Sequence, residues 1–180
     1  MKKVLCWLTA PLVLAMLIGF SSGVAFAGNI ELPFHPGNFK SSQDNLYLPM
    51  AIGATYVYMA EEEDGLVLNE ITQTPRKKKV LGVATTVVYD VEWLLVEGVG
   101  WVLTAETFDW IAWDNDGNAW YFGEDTTEYL YDEEWNPIGT SKAGSWQAGV
   151  DGAEPGILML ADPMPGDSYR QEFYEGVAED

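Results

Sequence analysis

The chain has 180 residues and a formal net charge of −19, with 28 acidic side chains against nine lysines and arginines. A surface this negative repels phosphate backbones and anionic lipid, which argues against nucleic acid as a partner and leaves a glycan, a lipid, a cation or an envelope protein to consider. The acidity could equally serve solvation alone in salty or alkaline surroundings.

Residues 1–27 have the three parts of a secretion signal in order. Lys2 and Lys3 form the positive end, Val4 to Phe20 the apolar run, and Ala25-Phe26-Ala27 a small-x-small cleavage site before Gly28. The alternative is an uncleaved anchor helix, but the run falls short of the roughly 20 residues of a comfortable span and contains Pro11. The pattern predicts export to the periplasm or beyond, with no stable membrane span after cleavage. Removal of the signal also removes Cys6, the only cysteine, and with it any disulfide or thiol chemistry.

Residues 28–53 read as an irregular lead-in, punctuated by Pro33, Pro36, Gly37, Pro49 and Gly53, that docks aromatic residues. Residues 54–180 read as one β-rich domain. Runs of β-branched and aromatic residues follow one another between Gly, Pro, Asp and Asn clusters: 54–60, 66–74, 80–96, 101–113, 118–122, 127–131, 138–146, 157–160 and 168–174. Alternation supports strands. Tyr56 and Tyr58 fall on one face and Val57 and Met59 on the other; Phe108, Trp110 and Ala112 oppose Asp109, Ile111 and Trp113. The expected fold is all-β, an antiparallel bent sheet, open barrel or sandwich of about seven to nine strands.

Turns are marked at Glu61–Gly65, at Asp132–Gly139 and, most clearly, at Asp114-Asn115-Asp116-Gly117-Asn118. Arg76-Lys77-Lys78-Lys79, the one basic cluster of the body, reads as a loop tip or the guard of an edge strand.

No nucleophile elbow, phosphate loop or dinucleotide fingerprint occurs, and the single histidine, His35, reads as a solvated loop residue. Catalytic residues are therefore not assigned. Two acids about 5–10 Å apart could still cleave a glycan, but so many carboxylates supply such pairs by chance. Asp114, Asp116, Asn118 and Glu124 present hard oxygen ligands around the acidic turn, which calcium would need. The alternative is a metal-free turn whose Asp and Asn side chains bond backbone amides. No other cofactor is indicated.

Aromatic content is the more informative feature. Trp113, Trp120 and Tyr121 lie beside the acidic turn, where exposed rings could stack on sugars or hold a cation. Trp146 and Asp151 sit in a glycine-rich stretch, residues 144–156, that reads either as a ligand loop or as a packed surface loop.

The string Asp109-Trp110 through Asp114-x-Asp116-Gly117-Asn118-x-Trp120-Tyr121-Phe122-Gly123-Glu124 is similar to one in a family of uncharacterised secreted β-rich proteins of bacteria and archaea. So are Gly144-Ser145-Trp146 through Pro155-Gly156, and Tyr169-Arg170-Gln171-Glu172 with Ala178-Glu179-Asp180. The likeness covers about residues 47–180 and implies no activity, substrate or site residue. It does imply further strands after Ala178-Glu179-Asp180, so that this chain would be a truncated form. The expectation is a secreted or periplasmic non-enzymatic binding domain using aromatic and acidic loops, with a carboxylate-based glycan hydrolase or a structural cell-envelope protein as alternatives.

Overall fold

The computed structural model describes residues 29–40, 45–62 and 65–180. The expected secretion signal at 1–27 lies outside the described residues. The chain is all-β, an antiparallel sheet curled into a half-barrel.

After a 3-10 turn at Pro36–Asn38 come β1 (Phe39–Lys40), β2 (Thr55–Glu62), β3 (Gly65–Val80), β4 (Val83–Val96), β5 (Gly100–Asp114), β6 (Ala119–Tyr131), β7 (Pro137–Ser141), β8 (Trp146–Gln147), β9 (Glu154–Met159), β10 (Glu172–Tyr174) and β11 (Ala178–Glu179). Strands β2 to β6 form a meander of long neighbours. The sheet continues from β6 through β9 and β10 to β11, while β1 adds to β5, and β7 and β8 add to β6.

Several expected boundaries moved: 66–74 extends to Val80 in β3, 138–146 divides into β7 and β8, and 168–174 shortens to β10. The run 80–96 divides into the end of β3 and all of β4, because Leu81 and Gly82 take positive φ angles of 47° and 87° in a two-residue hairpin turn. Leu81 conceals that turn, since a branched apolar residue is no turn signal. The segments 118–122 and 127–131 join into β6, which a register shift opposite Asp109–Ile111 bends without ending it.

The basic cluster lies on an open sheet edge, the second of its two expected readings: Lys77, Lys78 and Lys79 pair with Thr86, Thr85 and Ala84 of β4, while among the described residues β2 pairs only with Gly65–Thr72 of β3. Lys78 lays its amine 3.0 Å from the ring centroid of Trp110, and Arg76 lies over Phe108 at 5.3 Å. Aromatic faces accept these cations, and the long side chains cover apolar surface that would otherwise be wet.

The core concentrates where β5 and β6 meet β9 and the lead-in. Phe34 and Phe39 pack edge-on or tilted against Trp120 and Phe122, with centroids 5.4 to 6.1 Å apart. This is the docking role expected of the lead-in. Asn45 ties it down by donating to the carbonyls of Gly117, Met159 and Leu160. Among the described residues no helix is long and apolar enough to cross a membrane.

Candidate functional site

Directly paired residues of antiparallel strands share a face, so the register sorts the side chains of the meander. One row runs Gln73, Val88, Asp109, Glu124 across β3 to β6. The next runs Ile71, Asp90, Thr107, Thr126, and the one after it Asn69, Glu92, Ala105, Glu128. Tyr56 and Tyr58 of β2 join these rows opposite Ile71 and Asn69. The opposite face carries Tyr89, Glu106 and Phe108, where the Tyr89 and Tyr129 hydroxyls donate to the Glu106 carboxylate.

The two faces treat carboxyls differently. Glu106 lies open and its two phenols hold its pKa below the usual value. On the other face burial is the leading cause for Asp90, Glu92, Asp109 and Glu124, and acts upward. It pushes Asp90 to about 6, with Glu92 adding to the shift. It raises Asp109 well above the usual range, with Asp90 and Glu124 adding to it, and it raises Glu92 and Glu124 as well. These four carboxyls share one face of the sheet by register.

The cluster is closed from the far end of the chain. Glu172 on β10 is buried, and its carboxyl is pushed to about 7 by burial, then by Glu124 and Asp180. Its strand is held in place by the chain end, where the Gln171 and Glu172 amides both donate to the Asp180 carbonyl. Tyr121 stands at the centre. Its hydroxyl lies 2.6 Å from Asp109 Oδ1 and 3.1 Å from Glu124 Oε2. Trp146 meets the Tyr121 ring edge-on at 5.5 Å. Its indole N–H is near enough to Glu172 to favour the ionised carboxyl, yet it makes no well-formed hydrogen bond.

Local sequence explains how Trp146 gets there. Gly123 has φ 118°, and a Cβ on it would sit 2.4 Å from the Trp146 carbonyl oxygen. Only glycine lets β8 approach β6 so closely, which seats Trp146 opposite Glu124. Glu124 and Trp146 also border an open cleft of about 330 Å³, shared with Lys78, Trp110, Asp125, Ser145, Gln147 and Val150.

Polar groups around the cluster lack partners. Glu172 Oε2, Trp146 Nε1 and both amide atoms of Gln73 are buried without a hydrogen bond, Gln73 being wholly inaccessible. No lysine or arginine bonds to Asp90, Asp109, Glu124 or Glu172 among the described residues; the exposed ion pairs are Lys142–Asp125 and Arg170–Glu154. Nor do three His, Cys, Asp or Glu side chains converge there as a metal-ligand set.

The residues singled out from sequence divide sharply. Asp114, Asp116 and Asn118 do form the β5–β6 turn. Asp114 Oδ1 accepts from the Asp116 and Asn118 amides, and its Oδ2 from Asn118 Nδ2 and Trp120 Nε1, all within 3.0 Å. This is the hydrogen-bonded turn weighed against calcium, and it leaves the carboxylate little free acceptor capacity. Glu124 is not brought to that turn; it belongs to the carboxyl cluster around Tyr121. Trp113, Trp120, Tyr121 and Trp146 are all core residues, 2 to 7 % exposed, so none offers an open ring for stacking. Asp151 lies exposed in the turn before β9, with φ 50°. His35 is exposed beside the 3-10 turn.

Sequence reading missed Asp90, Glu92, Asp109, Glu172 and Gln73. The available signal was Asp109 on the same strand face as Ile111 and Trp113, since an acid among core residues needs a reason. Comparison with known proteins returned no match to any family model, curated protein or solved structure.

Proposed function

We propose that the protein is an exported, non-enzymatic binding domain that takes a cationic ligand on the carboxyl-bearing face of its sheet. One observation carries the reading: four carboxyls from β4, β5, β6 and β10 stand close enough to raise one another's pKa, and among the described residues no basic side chain bonds to them. Burying like charges together costs free energy that a protein keeps only where something offsets it. A cation from outside offsets it, and the overall negative field draws one in. The leader pattern at 1–27 supports export.

The test is a titration of the processed protein with calcium, polyamines, basic peptides, neutral glycans and lipid vesicles, followed by Trp fluorescence. Trp146 at the cluster makes a response to cations the expected outcome. A response to neutral glycans alone would overturn the reading.

A second reading has its own support. Asp109 and Glu124 reach the same phenol oxygen, which holds them near the roughly 5 Å spacing of retaining glycoside hydrolases, and raised pKa values suit a general acid. Hydrolysis of a glycan panel, lost on Glu124→Gln, would favour it over simple binding.

A further inference from the structure

We propose that Asp109, Tyr121 and Glu124, with Glu172 and Trp146 beside them, form a site for an aliphatic primary ammonium group, which enters in exchange for a proton. The inference rests on the cation-binding reading and specifies its ligand.

Proton counting comes first. Tyr121 has one hydroxyl proton and stands within hydrogen-bond reach of two carboxyl oxygens. The proton can go to only one of them, the closer being Asp109. The contact with Glu124 is then oxygen against oxygen, favourable only if Glu124 carries a proton and donates it to the phenol. The ligand-free cluster therefore holds one proton more than its separate groups would at neutral pH.

Acceptor geometry points to the class of cation. Carboxyls arrive from three strands, Asp109 on β5, Glu124 on β6 and Glu172 on β10, and Glu172 Oε2 is buried with no donor. Calcium needs six to eight oxygens drawn to about 2.4 Å, and no such set converges among the described residues. An ammonium group has three N–H donors and bonds to separate acceptors at about 2.8 Å, so it tolerates the wider spread. The neighbours in register, Val88 beside Asp109 and Ile111 beside Tyr121, are buried and apolar, and suit methylenes rather than a hydrated ion. The buried, unpartnered Gln73 amide in the Asp109 row offers a further polar contact.

The exchange balances. R–NH₃⁺ enters, one proton leaves a carboxyl for solvent, and the cluster regains the negative charge that holds the ligand. Other groups facing it set the pH range. Asp90 and Glu92 on β4, Glu128 on β6 and Asp180 at the chain end all oppose ionisation. Two cations stand nearby: Lys78 borders the same cleft as Glu124, its amine over Trp110, and Lys77 lies two strands from Ile111 by register with its amine 2.6 Å from Thr86 Oγ1.

Calorimetry of the processed protein tests this, with n-hexylamine, spermidine and a lysine peptide as probes in two buffers of different ionisation heat. The expected result is release of about one proton per ligand and affinity rising close to tenfold per pH unit up to neutrality. Spermidine against peptide separates a free polyamine from a lysine side chain as the source. Asp109→Asn should weaken hexylamine at least tenfold and reduce proton release, its melting temperature confirming the fold. Hexyltrimethylammonium, which has no N–H donor, should bind at least tenfold less tightly. Equal binding of the quaternary amine without proton release would overturn this site but leave cation binding standing; no response to any cation would overturn both. Displacement of hexylamine by micromolar calcium would replace the ammonium with a metal. Without any ligand, carboxyl-carbon NMR should find Glu124 or Asp109 titrating well above the usual carboxyl range, and both titrating within that range would refute the held proton.

Discussion

Asp114 and Asp109 are aspartates of one strand, both shielded from water, and they live opposite lives. Asp114 receives four donors at the β5–β6 turn, two from backbone amides and two from the Asn118 and Trp120 side chains. Asp109 has one phenol and is surrounded by Asp90, Glu124 and Glu172. Enclosure alone is thus no sign of function; what matters is whether the carboxylate's lone pairs are already used. A saturated carboxylate is architecture, and an unsaturated one among like charges is poised to take something.

Removing the two side chains should give opposite results. Asp114→Ala strands the Trp120 N–H, the Asn118 amide and two backbone donors at a turn that also anchors the lead-in through Asn45 to Gly117. Denaturant unfolding should show a loss of about 3–5 kcal/mol, the largest effect expected. A loss below 1 kcal/mol would mean that the turn is held by its backbone alone.

Asp109→Asn removes a charge that has no compensation, so at pH 8 it should be neutral or stabilising by about 1 kcal/mol. Its pH dependence sharpens the point. Asp90 at about 6 and Glu172 at about 7 keep protons that the unfolded chain gives up near pH 4. Their contribution favours the fold below about pH 4 and disappears as pH rises through 6 to 7. The wild-type melting temperature should therefore be about 5 °C higher at pH 5 than at pH 8, and Asp109→Asn should narrow that gap. A melting temperature that climbs with pH would reverse the sign and remove the basis for the buried carboxyl cluster.

The smallest effect belongs to an exposed pair. Lys142 and Asp125 bond at 2.6 Å with both side chains more than half exposed. Lys142→Ala should cost no more than about 0.5 kcal/mol and less still in high salt, as read from the denaturation midpoint.

Much of the fold was legible because turns and alternation are local. The face assignments of Tyr56, Val57, Tyr58 and Met59 reappear in their pairing with β3. The device at Asp114–Asn118 recurs at Asp132–Asn136, where Asp132 accepts from the Glu134 and Asn136 amides and Trp135 takes the positive φ that Gly117 supplies in the first turn. Both turns carry Asp and Asn at matching offsets, so both could be read. Leu81 carries no such mark, and its hairpin could not.

The cluster itself was beyond sequence. Period-two patterning placed Asp109 with Ile111 and Trp113, but which residue of a neighbouring strand lies beside it depends on register, and register shifts at Gln73–Lys77, Glu92–Trp93 and Asp109–Ile111. Glu172 joins from β10 after the chain has passed through β7, β8 and β9. The sequence by itself determined the strands, most of their turns and the charge. Tertiary structure alone decided which carboxylates would be saturated and which crowded together, because burial and like-charge repulsion depend on neighbours that only the closed sheet brings within reach.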